Sequence, residues 1–268
     1  KMKQWMFFVL SQIMCISNCI NGSILQLISQ KYNANIPSTL SAVCYIFMVF
    51  LFLFKKARTK VTLKTILIVL LSGFIDGLSN IINAYAYQFS SISSILLILA
   101  MVAPFSVFWS FIILKKLKIQ TLFLTIAATV FASTFVLLSI SDTKFKGIML
   151  ALASSIGYSL FSVICEKVQL HFLQYLSYHS LGGLLVTIVA ALVLDLNKFA
   201  ELQMEVYYLI PCYALLVLCF YCLAMFLTTR ISAIYYNITT LVQNFYAIII
   251  SALLFHEQIN YLQILVGT

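Results

Sequence analysis

Residues 66–89 read ILIVLLSGFIDGLSNIINAYAYQF. A hydrocarbon core about 30 Å thick takes roughly 20 apolar residues in helical form, so this run is long enough to cross it once. It carries one charge, Asp76, near its centre. A central Asp costs about 2.5–3.5 kcal/mol on insertion scales, so it is expected to face a bundle interior or water and to have a role. Gly73, Asp76, Asn80, Asn83 and Tyr87 follow at steps of three and four, which puts them on one stripe of a helix. Two readings of the stripe stay open: the lining of a solute path, or a protonated packing carboxyl helped by the close-contact pair Gly73 and Gly77.

The rest of the chain is of the same kind. Of 268 residues, 63% are hydrophobic and 9% charged, with a mean hydropathy of +1.07. A soluble surface needs roughly a quarter to a third of Lys, Arg, Glu and Asp, which excludes a soluble globular protein, and the shortage of polar residues excludes disorder. Nine full spans are expected, over residues 5–29, 36–54, 66–89, 92–114, 119–139, 147–165, 172–194, 206–228 and 233–255. A tenth begins at Asn260 and stops at Thr268, and the chain starts on Lys1, so we expect a fragment short at both ends.

The net charge is +9. Its basic residues fall mostly in alternate loops: Lys1, Lys3, Lys55, Lys56, Arg58, Lys60, Lys64, Lys115, Lys116, Lys118, Lys167 and Arg230 share one side, against Lys31, Lys144, Lys146 and Lys198 on the other. The richer side is expected to be cytoplasmic, with the N-terminus inside, and the charge is read as topology and not as a nucleic-acid surface.

Ser90-Ser91-Ile92-Ser93-Ser94-Ile95 is matched 139 residues later by Thr229-Arg230-Ile231-Ser232-Ala233-Ile234. Five spans separate the two strings, and an odd number turns the second copy upside down. The expected fold is an all-α integral membrane bundle of ten helices, the tenth truncated, built from two inverted five-helix repeats at residues 1–140 and 141–268. Such repeats place a solute site near the midplane between them.

Polar side chains cluster on two further spans. The ninth carries Asn237, Thr240 and Asn244, with Gln243, Tyr235, Tyr236 and Tyr246 beside them; the first carries Gln12, Cys15, Asn18, Cys19, Gly22 and Gln26. Each amide is as well read as glue between helices as a ligand. Tyr85, Tyr87, Tyr158, Tyr235, Tyr236 and Tyr246 add flat faces that suit a planar heterocycle, although tyrosine also favours the membrane interface. Pro104 is expected to kink the fourth span and free a carbonyl, and Pro211 to bend the eighth. No Lys or Arg stands at the centre of a span, which favours a neutral or cationic solute over one bearing two phosphates.

No Walker loop, GxGxxG or HExxH is present, so neither ATP-driven transport nor a known hydrolase is indicated. His171, His179 and His256 are read as scattered near helix ends, and no paired acids or metal-ligand cluster stands out, so no enzyme, cofactor or metal is expected. The seven cysteines lie in or beside apolar runs and are read as small hydrophobes.

Tyr32-Asn33-Ala34-Asn35-Ile36-Pro37 with Ser41 and Tyr45, then Asp76 and Asn80 with Ala86-Tyr87-Gln88-Phe89-Ser90-Ser91, then Ser232-Ala233 with Asn237 and Tyr246, follow one another in an order and spacing seen elsewhere. Over nearly the whole chain they resemble the drug/metabolite transporter superfamily, and within it solute carrier family 35, subfamily F. The resemblance implies ten helices in an inverted repeat and solute transport by alternating access. Where the family pattern has an acid two residues after Asp76, a base in the same helix and an acid in helix four, this chain has Leu78, Tyr85 and Leu99. Asp76 is therefore expected to lack its polar partners.

The leading functional reading is a secondary transporter of a small organic solute of nucleobase or nucleoside type. Its binding residues are taken as Asp76, Asn80, Asn83, Tyr87, Asn237, Gln243, Asn244 and Tyr246, with protons as a candidate coupling ion. A nucleotide-sugar antiporter of the Golgi or endoplasmic reticulum is the alternative within transport, and a non-transporting receptor or scaffold the alternative outside it. The bilayer and a small solute are the expected partners; a homodimer, and plasma membrane against endomembrane, stay open.

Overall fold

A backbone in hydrocarbon must satisfy its own N–H and C=O groups, which leaves helices as the economical choice for a chain this apolar. In the computed structural model, residues 4–58, 60–115 and 145–255, with Phe123, Ile126, Ala127 and Val130, are described, and every regular element among them is helical. In chain order these are α1 Gln4–Gln26, α2 Pro37–Val49, α3 Leu63–Ala86, α4 Ile92–Leu99, α5 Val102–Leu114, α6 Phe145–Val168, α7 Phe172–Ala190, α8 Met204–Arg230, α9 Ala233–Thr239 and α10 Gln243–Phe255. Seven stretches are long and apolar enough to cross a membrane: Trp5–Lys31, Leu63–Ala86, Ser94–Leu114, Phe145–Val168, Phe172–Phe199, Met204–Arg230 and Tyr236–Phe255. The expected second span is the shorter apolar helix Pro37–Leu53. The fifth span, apart from four single positions, and the tenth fall outside the described residues.

Local chemistry starts and stops these helices. Pro37 opens α2, where a missing N–H costs nothing, and Ser91 Oγ accepts the Ser94 N–H at the head of α4. Proline also explains the interruption of the fourth span. Pro104 has no N–H to offer the Ala100 carbonyl, and that carbonyl accepts the Ala103 N–H at 3.1 Å instead. The chain tightens through Ala100 and Met101, so the expected kink is a full break between α4 and α5. The ninth span is broken too, by a 3-10 turn at Thr240–Val242 between α9 and α10, with no proline in it. Around that turn the Thr239 and Gln243 carbonyls accept the thiols of Cys15 and Cys19. Pro211, in contrast, leaves α8 unbroken.

The heads of α4 and α9 are held in the same way. Gln26 Oε1, at the end of α1, accepts the Ile92 N–H at 2.8 Å; Glu166 Oε2, near the end of α6, accepts the Ala233 N–H at 2.8 Å. In the packed bundle α3 lies chiefly against α6 and α7, α2 against α7 and α8, and α1 against α8 and α10. The α3–α7 crossing is backbone on backbone. A methyl group on Gly73 would run into the His179 carbonyl, and one on Gly182 into the Leu70 carbonyl.

Candidate functional site

That close crossing brings Asp76 of α3 and His179 of α7 together. Both are fully buried, and His179 Nε2 stands 2.9 Å from Asp76 Oδ2. The same oxygen accepts the hydroxyls of Tyr45 from α2 at 2.5 Å and Tyr221 from α8 at 2.6 Å. Asn80, one turn along α3, donates through Nδ2 to both tyrosine oxygens at 2.8 Å and lies 3.4 Å from Asp76 Oδ2. Its Oδ1 accepts the Tyr158 hydroxyl from α6 at 2.9 Å. Four helices thus meet at one carboxylate, and a fifth, α6, joins through Asn80. The expectation that Asp76 lacks polar partners is overturned: the missing acids and base at Leu78, Leu99 and Tyr85 are replaced by hydroxyls and an imidazole from other helices and by the Asn80 amide on its own. The reading of His179 as a helix-end residue is corrected as well, since it sits mid-way along α7 with its ring stacked on Tyr175 at 5.5 Å.

Beside this network lies a cavity of about 90 Å3. Asn80, Tyr158 and Tyr221 form part of its wall, together with Asn18, Asn21, Asn83, Tyr87, Tyr213, Tyr236, Asn237, Thr240 and Gln243. The wall is completed by apolar groups that include Leu99 and Val102, the residues flanking the break between α4 and α5. Among the described residues, no Lys or Arg contributes to it.

The residues proposed from sequence are distributed unevenly. Asn80, Asn83, Tyr87, Asn237 and Gln243 line the cavity, whereas Asp76 lies behind the wall, joined to it through Asn80 and Tyr221. Asn244 and Tyr246 are outside the lining; the Tyr246 hydroxyl is spent on Gln12 Oε1 at 2.8 Å. Two of the lining amides also tie helices together. Asn237 Nδ2 donates to Ser106 Oγ at 2.5 Å and Ser162 Oγ at 3.1 Å, and Gln243 Oε1 accepts Asn18 Nδ2 at 2.8 Å. Asn21 Oδ1 and Asn83 Oδ1 are buried without a hydrogen-bond partner among the described residues. An unmet acceptor in a cavity wall is the atom a solute N–H would satisfy.

Tyr221, Tyr213 and His179 escaped the sequence reading. For His179 the signal was present, because an ionisable group inside an apolar span calls for the argument applied to Asp76. Tyr221, one tyrosine among 15 in the chain, carried none.

A search of curated proteins returned no match. The family model for solute carrier family 35, subfamily F, matches residues 1–267. With its apolar membrane-length helices and a match over nearly its full length, the chain belongs to solute carrier family 35, subfamily F, a multi-pass membrane family of solute transporters within the drug/metabolite transporter superfamily.

Proposed function

We propose that this chain is a secondary transporter that carries a small planar solute of nucleobase or nucleoside type by alternating access. The observation that carries the reading is the cavity wall: tyrosine faces beside two buried amide oxygens without partners, Asn21 Oδ1 and Asn83 Oδ1. Flat rings stack on such faces, and their N–H edges pair with such oxygens. A diphosphate would call for a cation in the wall, and the described wall holds none.

Alternating access rests on the recurrence of whole devices about 140 residues apart. The break at Ala100–Met101 recurs at Thr240–Val242, and the Gln26–Ile92 cap recurs as Glu166–Ala233. Interrupted helices at corresponding positions of two halves are the usual walls of a midplane site in inverted-repeat transporters. We read residues 1–140 and 141–268 as those halves, with the Lys-rich loops cytoplasmic. The two caps then close the cavity at opposite ends, α3–α4 on the outer side and α8–α9 on the inner.

Counterflow in proteoliposomes tests this, with labelled nucleobases and nucleosides in one pool and nucleotide sugars in another. Exchange of the first pool, lowered at least about tenfold by Asn83→Leu, is expected; a loss of 1.4 kcal/mol corresponds to that factor. Exchange of the second pool alone would overturn the solute class, and no exchange of either would favour a receptor or scaffold.

A further inference from the structure

The hydrogen bonds around His179 bear on where its protons sit. Ser72 Oγ has one hydrogen and three neighbours: the Val69 carbonyl at 2.8 Å, Tyr175 Oη at 2.8 Å and His179 Nδ1 at 3.2 Å. A carbonyl can only accept; with the serine hydrogen on Val69, Oγ accepts an Nδ1–H from His179, while the Tyr175 hydroxyl lies between Ser72 Oγ and the Phe161 carbonyl at 3.3 Å. With Nδ1 protonated, Nε2 faces Asp76 Oδ2 across 2.9 Å, and any hydrogen between them is one more than a neutral imidazole and a carboxylate possess together. In this tautomer the contact holds one exchangeable proton.

Asp76 is arranged to keep or lose it. Its Oδ2 collects Tyr45, Tyr221 and His179, while its buried Oδ1 has no partner among the described residues. Loaded, the pair is an imidazolium and a carboxylate with no net charge. Unloaded, the proton leaves Nε2 for solvent, the imidazole is neutral with its Nδ1–H still on Ser72, and the carboxylate stays held by two tyrosine hydroxyls. The titratable groups facing the pair are Tyr45 from α2, Tyr158 from α6, Tyr175 from α7, Tyr221 from α8 and Tyr236 from α9. None of these is a base that would compete for the proton near neutral pH.

We infer that Asp76 and His179 form the proton-binding site of the transport cycle, and that Asn80 couples its occupancy to the solute. Among the described residues, Asn80 alone both lines the cavity and donates to both tyrosine hydroxyls on Asp76. A solute that draws its amide away loosens both hydroxyls, weakens their hold on the carboxylate and so favours the loaded, neutral pair. Solute and proton then cross together, an inference that rests on the transport reading above.

Two measurements on the whole chain in liposomes decide it. With nucleobases and nucleosides as probes, a gradient of one pH unit is expected to sustain about a tenfold accumulation of a neutral solute carried with one proton. Asp76→Asn and His179→Gln are each expected to remove the accumulation, and a cooperative melting transition in detergent shows that each variant folds. Counterflow without gradient-driven accumulation in the unaltered chain, or accumulation that survives both substitutions, overturns the coupling and leaves the transport reading standing. If no solute exchanges, the pH dependence of the infrared carboxylate stretch decides the proton site alone. A carboxylate band that moves with pH, that Asp76→Asn abolishes and that His179→Gln leaves in place without the pH-dependent movement supports the site, and its absence overturns it.

Discussion

At the α3–α4 joint the N–H of Ile92 is held by an amide oxygen, Gln26 Oε1, and at the α8–α9 joint the N–H of Ala233 is held by a carboxylate oxygen, Glu166 Oε2, both at 2.8 Å. The first joint is sewn further by amides: Gln30 Nε2 donates to the Tyr87 carbonyl at 2.9 Å and the Ser90 carbonyl at 3.1 Å. The second is surrounded by charge, with Arg230 over the Phe226 ring at 5.8 Å and Lys167 next to the capping acid. A helix head needs an acceptor, and either group supplies one; only the carboxylate also answers the helix dipole, by about 0.3–1 kcal/mol that salt screens. The pair teaches that the backbone geometry recurs while the chemistry filling it does not. The same holds deeper in the bundle, where the residue 139 positions after Asp76 is Leu215, an exposed apolar side chain.

Breaking the amide joint is expected to have the largest effect. Gln26 is buried, and Gln26→Leu strands the Ile92 N–H at a cost of about 1–3 kcal/mol. Thermal unfolding in detergent reads that loss. Labelling of a Thr240→Cys reporter by an impermeant maleimide, in a background without Cys212, Cys219 and Cys222, the native cysteines that are not buried, reads the opening. Labelling is expected to rise from the Lys-poor face alone; an unchanged rate would show that the contact is structural and closes nothing.

The carboxylate joint separates into two smaller terms. Glu166→Ala removes acceptor and charge, an expected loss of about 0.5–2 kcal/mol, whereas Glu166→Gln keeps the acceptor and loses only the dipole term of about 0.3–1 kcal/mol. Reporter labelling is expected to rise from the opposite face, more for Ala than for Gln. The stability difference between Glu and Gln should shrink in high salt, and a difference independent of salt would place its cause elsewhere.

How much of this was legible beforehand depends on whether the signal is local. Hydropathy marks a span because lipid acts on every residue of it, and the seven membrane-length helices follow. Asp76, Asn80, Asn83 and Tyr87 announce themselves as polar residues at helical spacing on one apolar run. The Tyr45 and Tyr221 hydroxyls on Asp76 lie 31 and 145 residues away along the chain, and nothing in either helix alone marks them. The site is a property of crossings, above all the one at Gly73 and Gly182, and a crossing has no periodicity. Asn237 and Gln243 show the converse: the sequence flags them correctly as polar and cannot tell that their amides are engaged with Ser106, Ser162 and Asn18.

The two helix breaks extend the comparison with a smaller effect. The break between α4 and α5 has a local cause in Pro104, and Pro104→Ala restores a donor for the Ala100 carbonyl. The variant is expected to be as stable as the parent or up to about 1 kcal/mol more so, with slower counterflow. Thr240–Val242 has no such residue, so its turn is set by packing against α1, where Cys15 and Cys19 take its carbonyls. Cys19→Ala should therefore disturb the second break while sparing the first, a distinction that exchange of the Gln243 and Met101 amides can follow.

Charge around the α8–α9 joint also reaches a group that the amide joint has no equivalent of. His171, between α6 and α7, caps α7 by accepting the Leu173 N–H on Nδ1 at 3.3 Å, which requires that nitrogen to be unprotonated. Burial, then Lys56 and Arg230, hold its pKa below the ordinary histidine value. The folded chain thus favours the neutral ring, and on acidification the unfolded chain binds the proton first. The contribution is full above the ordinary histidine pKa and is lost as pH falls from there through the lower folded value. Replacing the ring by His171→Gln is expected to flatten a shallow fall in melting temperature on the acid side of neutral, while Gln26→Leu lowers the whole curve without changing its slope. If both variants kept the parent slope, the charged joint would not be where the pH dependence of this fold resides.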